Sequence, residues 1–485
     1  MAIIIPANSA AVTAFSVDNS CRFNDDDSAY MHKTPSAGNV DRWTFSAWVK
    51  RGSVSTAVAL IGSSPTANNN FETIGFAAAG DIDWEHYEYT SSSYKGRLKT
   101  NRLFRDPSAW YHIVAVWDSA NATAGNRMRL YVNGVEETSL QSETQPSSGQ
   151  DSLINSGNPQ QVGASGGAIQ FFDGYMAEVY FIDGTVYGPT DFGEFDEDSP
   201  TIWKPIDASG LTFGTNGFYL DFKASDNLGN DANGGTDLTE VNLAAADQSI
   251  DTPTNNFCVM NSLDNYYPGD TLSEGNTNVV TGSSAYTFLT STIGVSAGKW
   301  YYEAKIVDEG THANVGIATK PPYTTNIYPG FEPNDYFYKS TDGNSYTSDA
   351  GSSYGNTYTT NDIIGVYIDL DNSKLYFAKN GTVQNSGTGI SITTPAAASI
   401  DFSSESGIPG SGFYFPAVGD YSGSDTSTFA LNFGNGQFAG TAVSSGNADA
   451  NGYGNFEYNP SSGTFDGSSK NFLAICTKNL GSDGG

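Results

Sequence analysis

Three carboxylates on one short segment give this chain its sharpest catalytic candidate. In Asp81-Ile-Asp-Trp-Glu85 they are two residues apart, so an extended strand would carry Asp81, Asp83 and Glu85 on one face. A retaining glycosidase needs two carboxyl groups about 5–5.5 Å apart, one as nucleophile and the other as acid. Residues i and i+4 of a strand are further apart at the backbone, so the side chains would have to converge. A solvent-exposed strand face explains the same pattern, and we predict no catalytic residue and no enzyme.

A tyrosine-rich stretch is the stronger binding candidate. Residues 328–358 set aromatic side chains among Ser, Gly, Asn and Asp, a composition typical of antibody paratopes. The alternative is a loop of the same composition that packs on its own sheet or on a neighbouring subunit. The side chains that we predict to contact a ligand are Tyr323, Tyr336, Tyr338, Tyr346 and Tyr354, together with the face formed by Asp81, Asp83 and Glu85.

Other chemistry finds little support. Calcium would suit two oxygen-rich loops, residues 24–27 and 226–233, but neither has the D-x-D-x-D-G spacing with a distal Glu, and turn capping explains both. We therefore predict no metal and no cofactor, with calcium at these loops as the alternative. The four histidines lie near no G-x-S-x-G elbow. Three scattered cysteines are too few for a disulfide framework or a zinc site, so we expect buried thiols.

The charge of the chain restricts its partners. It has 22 Lys and Arg against 53 Asp and Glu, a formal net charge of −31. Such a chain repels phosphate backbones and anionic bilayers, so we predict that it binds no nucleic acid. No run of 18 apolar residues occurs, and the start Met-Ala-Ile-Ile-Ile-Pro lacks the basic and apolar regions of a signal peptide, so we expect no membrane insertion.

The elements that would position these residues are strands. Two alternating apolar runs each end in Asn-Gly, at Asn133-Gly134 and Asn380-Gly381, which is the strongest short-range signal for a β-hairpin. Abundant Gly, Ser, Thr and Asn and many aromatic residues also argue against helices. We predict an all-β protein of two antiparallel jelly-roll sandwiches, because 485 residues exceed what one hydrophobic core holds. The predicted parts are an N-terminal arm (1–17), a first sandwich (18–205), a turn-rich connector (206–262) and a second sandwich with a C-terminal tail (263–485).

Ordered motifs relate both sandwiches to known families. Trp43-Thr-Phe-Ser-Ala-Trp-Val49, followed by Trp110-Tyr-His-Ile-Val-Ala-Val-Trp117 and Arg129-Leu-Tyr-Val-Asn-Gly134, resembles the laminin-G/concanavalin-A-like jelly roll. Gly298-Lys-Trp-Tyr-Tyr-Glu303, followed by Leu375-Tyr-Phe-Ala-Lys-Asn-Gly381, resembles the SPRY domain. The SPRY resemblance implies peptide or protein binding through loops at one end of the sandwich. Laminarinase-type glucanases share the first fold and carry a strand similar to residues 81–85, but with Glu where Asp81 stands.

Nearly the whole chain also resembles structural proteins of tailed, marine-type bacteriophages. The phrases that carry this resemblance include Asp251-Thr-Pro-Thr-Asn-Asn-Phe-Cys-Val-Met-Asn261 and Asn471-Phe-Leu-Ala-Ile-Cys-Thr-Lys-Asn-Leu480. It implies a tail fibre, head fibre or decoration protein on the virion, presenting its sandwiches for adhesion to a host-surface glycan or protein. The expected partners are other virion proteins and the host surface, and a homo-oligomer, such as a trimer, is expected. A glycan depolymerase and a purely architectural virion subunit are the alternatives.

Overall fold

Alternating apolar residues become strands whose pairings are mostly antiparallel, which confirms the all-β prediction. The computed structural model describes residues 15–36, 38–65, 69–264, 269–284, 286–319, 327–392 and 412–483. The N-terminal arm up to residue 14 and Tyr323 lie outside these ranges. The chain separates into two compact units, one ending at Thr254 and the other running from Asn255.

The first unit is built from short and medium strands. Its strands are β1 (Ser20–Phe23), β2 (Tyr30–Lys33), β3 (Arg42–Arg51), β4 (Val58–Ser63), β5 (Phe71–Phe76), β6 (Asp81–Glu88), β7 (Ser93–Leu103), β8 (Trp110–Asp118), β9 (Met128–Val132), β10 (Val135–Glu136), β11 (Leu140–Thr144), β12 (Gln160–Val162), β13 (Gly174–Asp183), β14 (Gly193–Phe195), β15 (Trp203–Pro205), β16 (Phe218–Leu220), β17 (Thr239–Val241) and β18 (Gln248–Ser249). Single turns of 3-10 helix occur at Ala124–Asn126, Pro189–Asp191 and Ala245–Asp247.

The second unit has the same character. Its strands are β19 (Thr271–Ser273), β20 (Asn278–Val280), β21 (Thr287–Thr290), β22 (Lys299–Asp308), β23 (Ala313–Ala318), β24 (Tyr336–Lys339), β25 (Asn344–Thr347), β26 (Ala350–Ser353), β27 (Ile363–Asp369), β28 (Lys374–Lys379), β29 (Thr382–Val383), β30 (Ile390–Ser391), β31 (Phe415–Asp420), β32 (Thr428–Asn432), β33 (Gln437–Phe438), β34 (Thr441–Ala442) and β35 (Leu473–Ala474). A 3-10 turn lies at Asn385–Gly387, and helix α1 covers Thr477–Asp483. Within the described ranges, no helix has the length and apolar character needed to cross a bilayer.

Two sheets face each other in the first unit. Sheet 1 has the order β10-β9-β8-β3-β13-β1-β18, with β16 also paired to β13, and sheet 2 has the order β11-β7-β6-β5-β4-β12-β2-β17. Both sheets contribute to one buried core: Trp43 and Trp117 come from sheet 1, and Trp84 comes from sheet 2. The Trp43 and Trp84 ring centroids are 5.4 Å apart. Burying such large rings between two sheets is what stabilises a sandwich of this size.

The second unit repeats this design. Sheet 3 has the order β19-β20-β32-β22-β27-β28-β29, with β30 paired to β28 and β35 to β22, and sheet 4 has the order β21-β31-β23-β24-β25-β26. Trp300, Tyr302 and Phe377 of sheet 3 share a buried core with Val315 and Tyr338 of sheet 4. The core therefore lies between the two sheets, and loops and turns gather at the ends of the strands.

Both predicted Asn-Gly hairpins are confirmed. Asn133 and Gly134 have positive φ angles of 48° and 78° between β9 and β10, and Asn380 and Gly381 have 48° and 76° between β28 and β29. Positive φ at both central residues defines the type I′ turn, whose twist matches that of the flanking strands.

Part of the predicted connector forms strands in both sheets of the first unit. In this segment β16 pairs with β13, β17 with β2 and β18 with β1, so it contributes to both sheets. The aromatic residues Phe218 and Phe222 belong to the buried core of the sandwich. The first compact unit accordingly runs on to Thr254.

Candidate functional site

The predicted tyrosines separate into buried and accessible ones. Tyr336 and Tyr338 are two residues apart on β24, so both rings point into the core, and Tyr354 joins them there. The exposed fractions are 8%, 0% and 6%. Tyr338 donates a hydrogen bond to the carbonyl oxygen of Asn356, and the Tyr354 hydroxyl accepts one from the backbone N–H of Phe377. These three rings hold the sandwich together and are unavailable to a ligand.

Among the predicted tyrosines that the structure describes, Tyr346 is the one that reaches a surface. It lies on β25, half-buried, on the side of sheet 4 that faces away from the core. Four aromatic residues form a patch at the same end of this sheet, and we call all five the tyrosine surface: Tyr286, Tyr328, Phe331, Tyr346 and Tyr421.

Four rings of the tyrosine surface, those of Tyr286, Tyr328, Phe331 and Tyr421, form a connected set of contacts. The ring centroids of Tyr328 and Tyr421 are 4.3 Å apart, those of Tyr328 and Phe331 are 5.2 Å apart, and those of Tyr286 and Tyr421 are 5.5 Å apart. Phe331 is 41% exposed. Edge-to-face packing of this kind keeps the rings in place while their outer edges stay in solvent.

Sheet pairing explains why residues so distant in sequence meet here. Tyr286 immediately precedes β21 and Tyr421 immediately follows β31, and these strands pair with Thr287 opposite Asp420. Lys339 at the end of β24 completes the group, with its Nζ atom 4.2 Å from the Tyr421 ring centroid and 5.2 Å from that of Tyr346. Nothing in the local sequence around Tyr286 or Tyr421 marks either as a site residue, so sequence reasoning missed both.

Carboxylates border the tyrosine surface and fix its hydroxyl groups. Tyr346 donates a hydrogen bond to Asp342 with an O–O distance of 2.6 Å, and Tyr328 donates one to Asp349. The hydrogen bond to Asp342 raises the pKa of Tyr346, and burial, followed by the bond to Asp349, raises the pKa of Tyr328. Both phenols therefore stay neutral at physiological pH. The surface therefore combines apolar ring edges with the carboxylates of Asp342 and Asp349 at its border. Lys339 forms an ion pair there, with its Nζ atom 3.8 Å from an Asp342 carboxylate oxygen.

The three carboxylates of residues 81–85 lie on one strand, β6, as predicted. They form ion pairs with Arg97 and Lys99 of the neighbouring strand. Arg97 of the neighbouring β7 donates two hydrogen bonds to Asp83, at 3.0 and 2.6 Å, and its Nη2 atom is 3.0 Å from a Glu85 oxygen. Lys99 Nζ is 3.4 Å from an Asp81 oxygen. Burial, followed by repulsion from Asp83, raises the pKa of Glu85. This alternation of charges across two strands is a ladder of ion pairs on a sheet face.

The oxygen-rich loops use their oxygens in turns. Asn24 donates a hydrogen bond to Asp27 at 3.0 Å, and Asp231 accepts hydrogen bonds from the backbone N–H groups of Tyr219 and Asn233. In the part of the chain that the structure describes, no group of three or more His, Cys, Asp or Glu side chains could hold a metal ion.

Comparisons with known proteins identify both sandwiches. Residues 24–187 match the concanavalin A-like lectin/glucanases superfamily, and residues 299–402 match the SPRY domain. The chain therefore contains a concanavalin A-like domain followed by a SPRY domain. Among solved structures, the SPRY domain of human HERC1 is 17% identical, covers 32% of this chain and 87% of that chain, and gives a TM-score of 0.25.

Curated relatives match over a short segment. The Ran-binding proteins 9/10 homolog of Drosophila melanogaster is 36% identical over 88 residues, which are 18% of this chain and 9% of that protein. Ran-binding protein 9 of Homo sapiens is 36% identical over 94 residues, which are 19% of this chain and 13% of that protein. The chain thus spans only about a tenth of the length of these relatives.

These relatives overturn the expectation of a bacteriophage virion protein. They are Ran-binding proteins of animals, so the predicted virion function, the virion and host-surface partners and the location on a virion are wrong. Two residues of the phrases that carried this expectation, Cys258 and Ile475, lie in the buried core of the second unit, where the Cys258 N–H donates a hydrogen bond to the Ile475 carbonyl oxygen. The phrases therefore record packing in the second sandwich. Such phrases specify a fold that occurs in proteins of many different functions. They therefore identify the domain, but not the larger protein or particle to which it belongs.

Proposed function

We propose that this chain is a non-enzymatic binding protein whose second unit recognises a segment of another polypeptide through the tyrosine surface. One observation carries the proposal: four aromatic side chains from separate strands and loops meet at one end of sheet 4, and Lys339 joins a fifth, Tyr346, to them. Monomeric surfaces seldom group aromatic residues unless they contact a partner.

The chemistry of the surface favours a polypeptide ligand. Tyrosine and phenylalanine supply large contact areas at a low cost in conformational entropy, which is why they dominate protein recognition surfaces. The rings are held in place by hydrogen bonds from Tyr328 and Tyr346 to carboxylates, so little ordering would accompany binding. The presence of a SPRY domain and the name of the relatives, Ran-binding protein, support the same class of function.

The ion-pair ladder of the first unit supports the non-enzymatic part of the proposal. A carboxylate pair in a glycosidase keeps one group free to attack and the other free to donate a proton. Here Arg97 binds Asp83 through two nitrogens and also contacts Glu85. These contacts occupy carboxylate oxygens that a glycosidase would need for attack and proton transfer.

A peptide display selection tests the proposal. The full chain is immobilised and presented with a library of random displayed peptides, and purified Ran is tested separately as a defined protein probe. We expect peptides to be enriched on the wild-type chain and lost on the Tyr328→Ala, Phe331→Ala double variant. The matched control is Tyr89→Ala, which removes an aromatic residue that is 54% exposed in the first unit and should leave the selection unchanged. Failure to enrich any peptide and to retain Ran would refute the proposal.

A further inference from the structure

The outermost strand of sheet 4 lies beside the tyrosine surface and has one neighbour within the described part of the chain. β26 pairs with β25 on one side, and among the described residues no strand pairs with its other side. All four residues, Ala350, Gly351, Ser352 and Ser353, are exposed. None of them is charged or a proline, so β26 lacks the side chains by which edge strands usually prevent further pairing.

The hairpin geometry determines which backbone groups face outward. Ser348 and Asp349 have φ angles of 51° and 59°, so a two-residue type I′ turn joins β25 to β26 and makes Thr347 and Ala350 a hydrogen-bonded pair. Hydrogen-bonded pairs alternate along an antiparallel ladder. The N–H and C=O groups of Gly351 and Ser353 therefore point away from β25, where an added strand would find them.

Charge next to this edge selects the partner. Asp349 lies in the turn between β25 and β26, and Asp342 lies just before β25, where it accepts the hydrogen bond from Tyr346. Both acidic residues are exposed, and the nearby Lys339 is already engaged by Asp342 and by two tyrosine rings. The chain as a whole carries a net charge of −31, which disfavours a second copy of itself at this edge.

We infer that β26 is a docking edge for an extended, Lys- or Arg-bearing segment of a partner protein, which adds to sheet 4 as a further strand. Backbone hydrogen bonds to Gly351 and Ser353 would hold the segment in register. Its cationic side chains would lie against the exposed carboxylates of Asp342 and Asp349. This inference rests on the proposed function, because it specifies the class of polypeptide and the way it binds.

Two synthetic peptides and one pair of variants test the inference on the full chain. The probes are fluorescent eight-residue peptides of alternating Lys and Val or alternating Glu and Val, followed by fluorescence anisotropy. Ser353→Pro removes an outward N–H while leaving the bonds between β25 and β26, and Ser353→Ala is the matched control that keeps the N–H. We expect the Lys-Val peptide to bind the wild-type chain and Ser353→Ala equally, and Ser353→Pro about fivefold or more weakly. The Glu-Val peptide should not bind.

Amide hydrogen exchange on the wild-type chain gives a readout that does not depend on the variant folding. Addition of the Lys-Val peptide should slow exchange in the segment that contains residues 350–353. The inference is overturned if the Lys-Val peptide does not bind, if the Glu-Val peptide binds equally well, if Ser353→Pro binds undiminished, or if exchange in this segment is unchanged. If peptides enriched in the display selection bind Ser353→Pro as well as the wild-type chain, binding by strand addition is refuted, but the proposed function is not.

Discussion

Glu178 is a buried carboxylate whose titration should control the pH dependence of stability of the first unit. It lies on β13 with a φ angle of 50°, at a point where the pairing with β3 shifts register, and it is 5% exposed. Its carboxylate accepts hydrogen bonds from Tyr180 at 2.5 Å and from Tyr219 at 2.9 Å. Burial outweighs these bonds and raises the pKa of Glu178 from 4.5 to about 7.

The direction of the effect follows from proton linkage. Because the folded state holds the proton of Glu178 more tightly than the unfolded state, its contribution to stability is fully present below pH 4.5. The contribution is lost progressively as the pH rises towards about 7. At 1.36 kcal/mol per pH unit, the shift corresponds to about 3 kcal/mol in the free energy of unfolding.

Glu178→Gln isolates this contribution, because the amide has the shape of the protonated acid and does not titrate. The stability of the wild-type chain minus that of the variant should fall by about 3 kcal/mol between pH 4 and pH 8. Urea unfolding followed by tryptophan fluorescence measures it, because six of the seven tryptophans lie before residue 255 and report on the first unit. Glu197→Gln, at an exposed position, is the control and should show no such change. The reasoning is refuted if the free energy of unfolding of the wild-type chain minus that of the variant stays constant with pH, or if it increases as the pH rises.

Three further substitutions test other parts of the structure. Gly134→Ala should destabilise the first unit by at least about 1 kcal/mol in urea unfolding, because φ is +78° and the new Cβ would lie 2.4 Å from the Trp203 ring; unchanged stability would contradict the turn geometry. Asp251→Ala should cost about 3–5 kcal/mol by the same assay, since it removes the carboxylate 2.7 Å from the buried Lys50 ammonium, and the Lys50→Met, Asp251→Leu double variant should recover most of the loss. Burial raises the pKa of Glu303 to about 7, so its contribution to stability is lost as the pH rises, whereas Glu303→Gln does not titrate. Amide exchange in β22 should therefore be slower in Glu303→Gln than in the wild-type chain, and this difference should be larger at pH 8 than at pH 5. A larger difference at pH 5 would contradict the assigned burial.

Sequence reasoning succeeded where structure is set by neighbouring residues. The Asn-Gly pairs predicted two hairpins, and both have the positive φ angles that those residues tolerate best. The motif at residues 43–49 alternates as a strand does, and β3 buries Trp43 and Trp48 in different clusters. Ordered motifs also identified both domains, because they record the strands of each sandwich in chain order.

The composition of residues 328–358 predicted a binding stretch but could not say which rings are free. Tyr336 and Tyr338 are two residues apart, so both lie on the same face of a strand, whether that face is exposed or buried. Only the position of the opposite sheet shows that their face is the buried one. Likewise, Asp83 and Glu85 resemble reactive carboxylates until the register of β6 and β7 places Arg97 between them. An isolated strand pattern gives the alternation but not which face meets the core.

The sequence by itself therefore determined the all-β class, the two domains and the positions of the main hairpins, because turn preferences and alternation act over a few residues. Only the tertiary structure decided where the tyrosine surface lies, since Tyr286 and Tyr421 meet through the pairing of β21 with β31. It also decided that β26 is an edge strand among the residues that the structure describes, and that the neighbouring Asp342 and Asp349 are exposed. The physical reason is that strand order and register are settled by burial of the whole core, which couples residues more than a hundred positions apart.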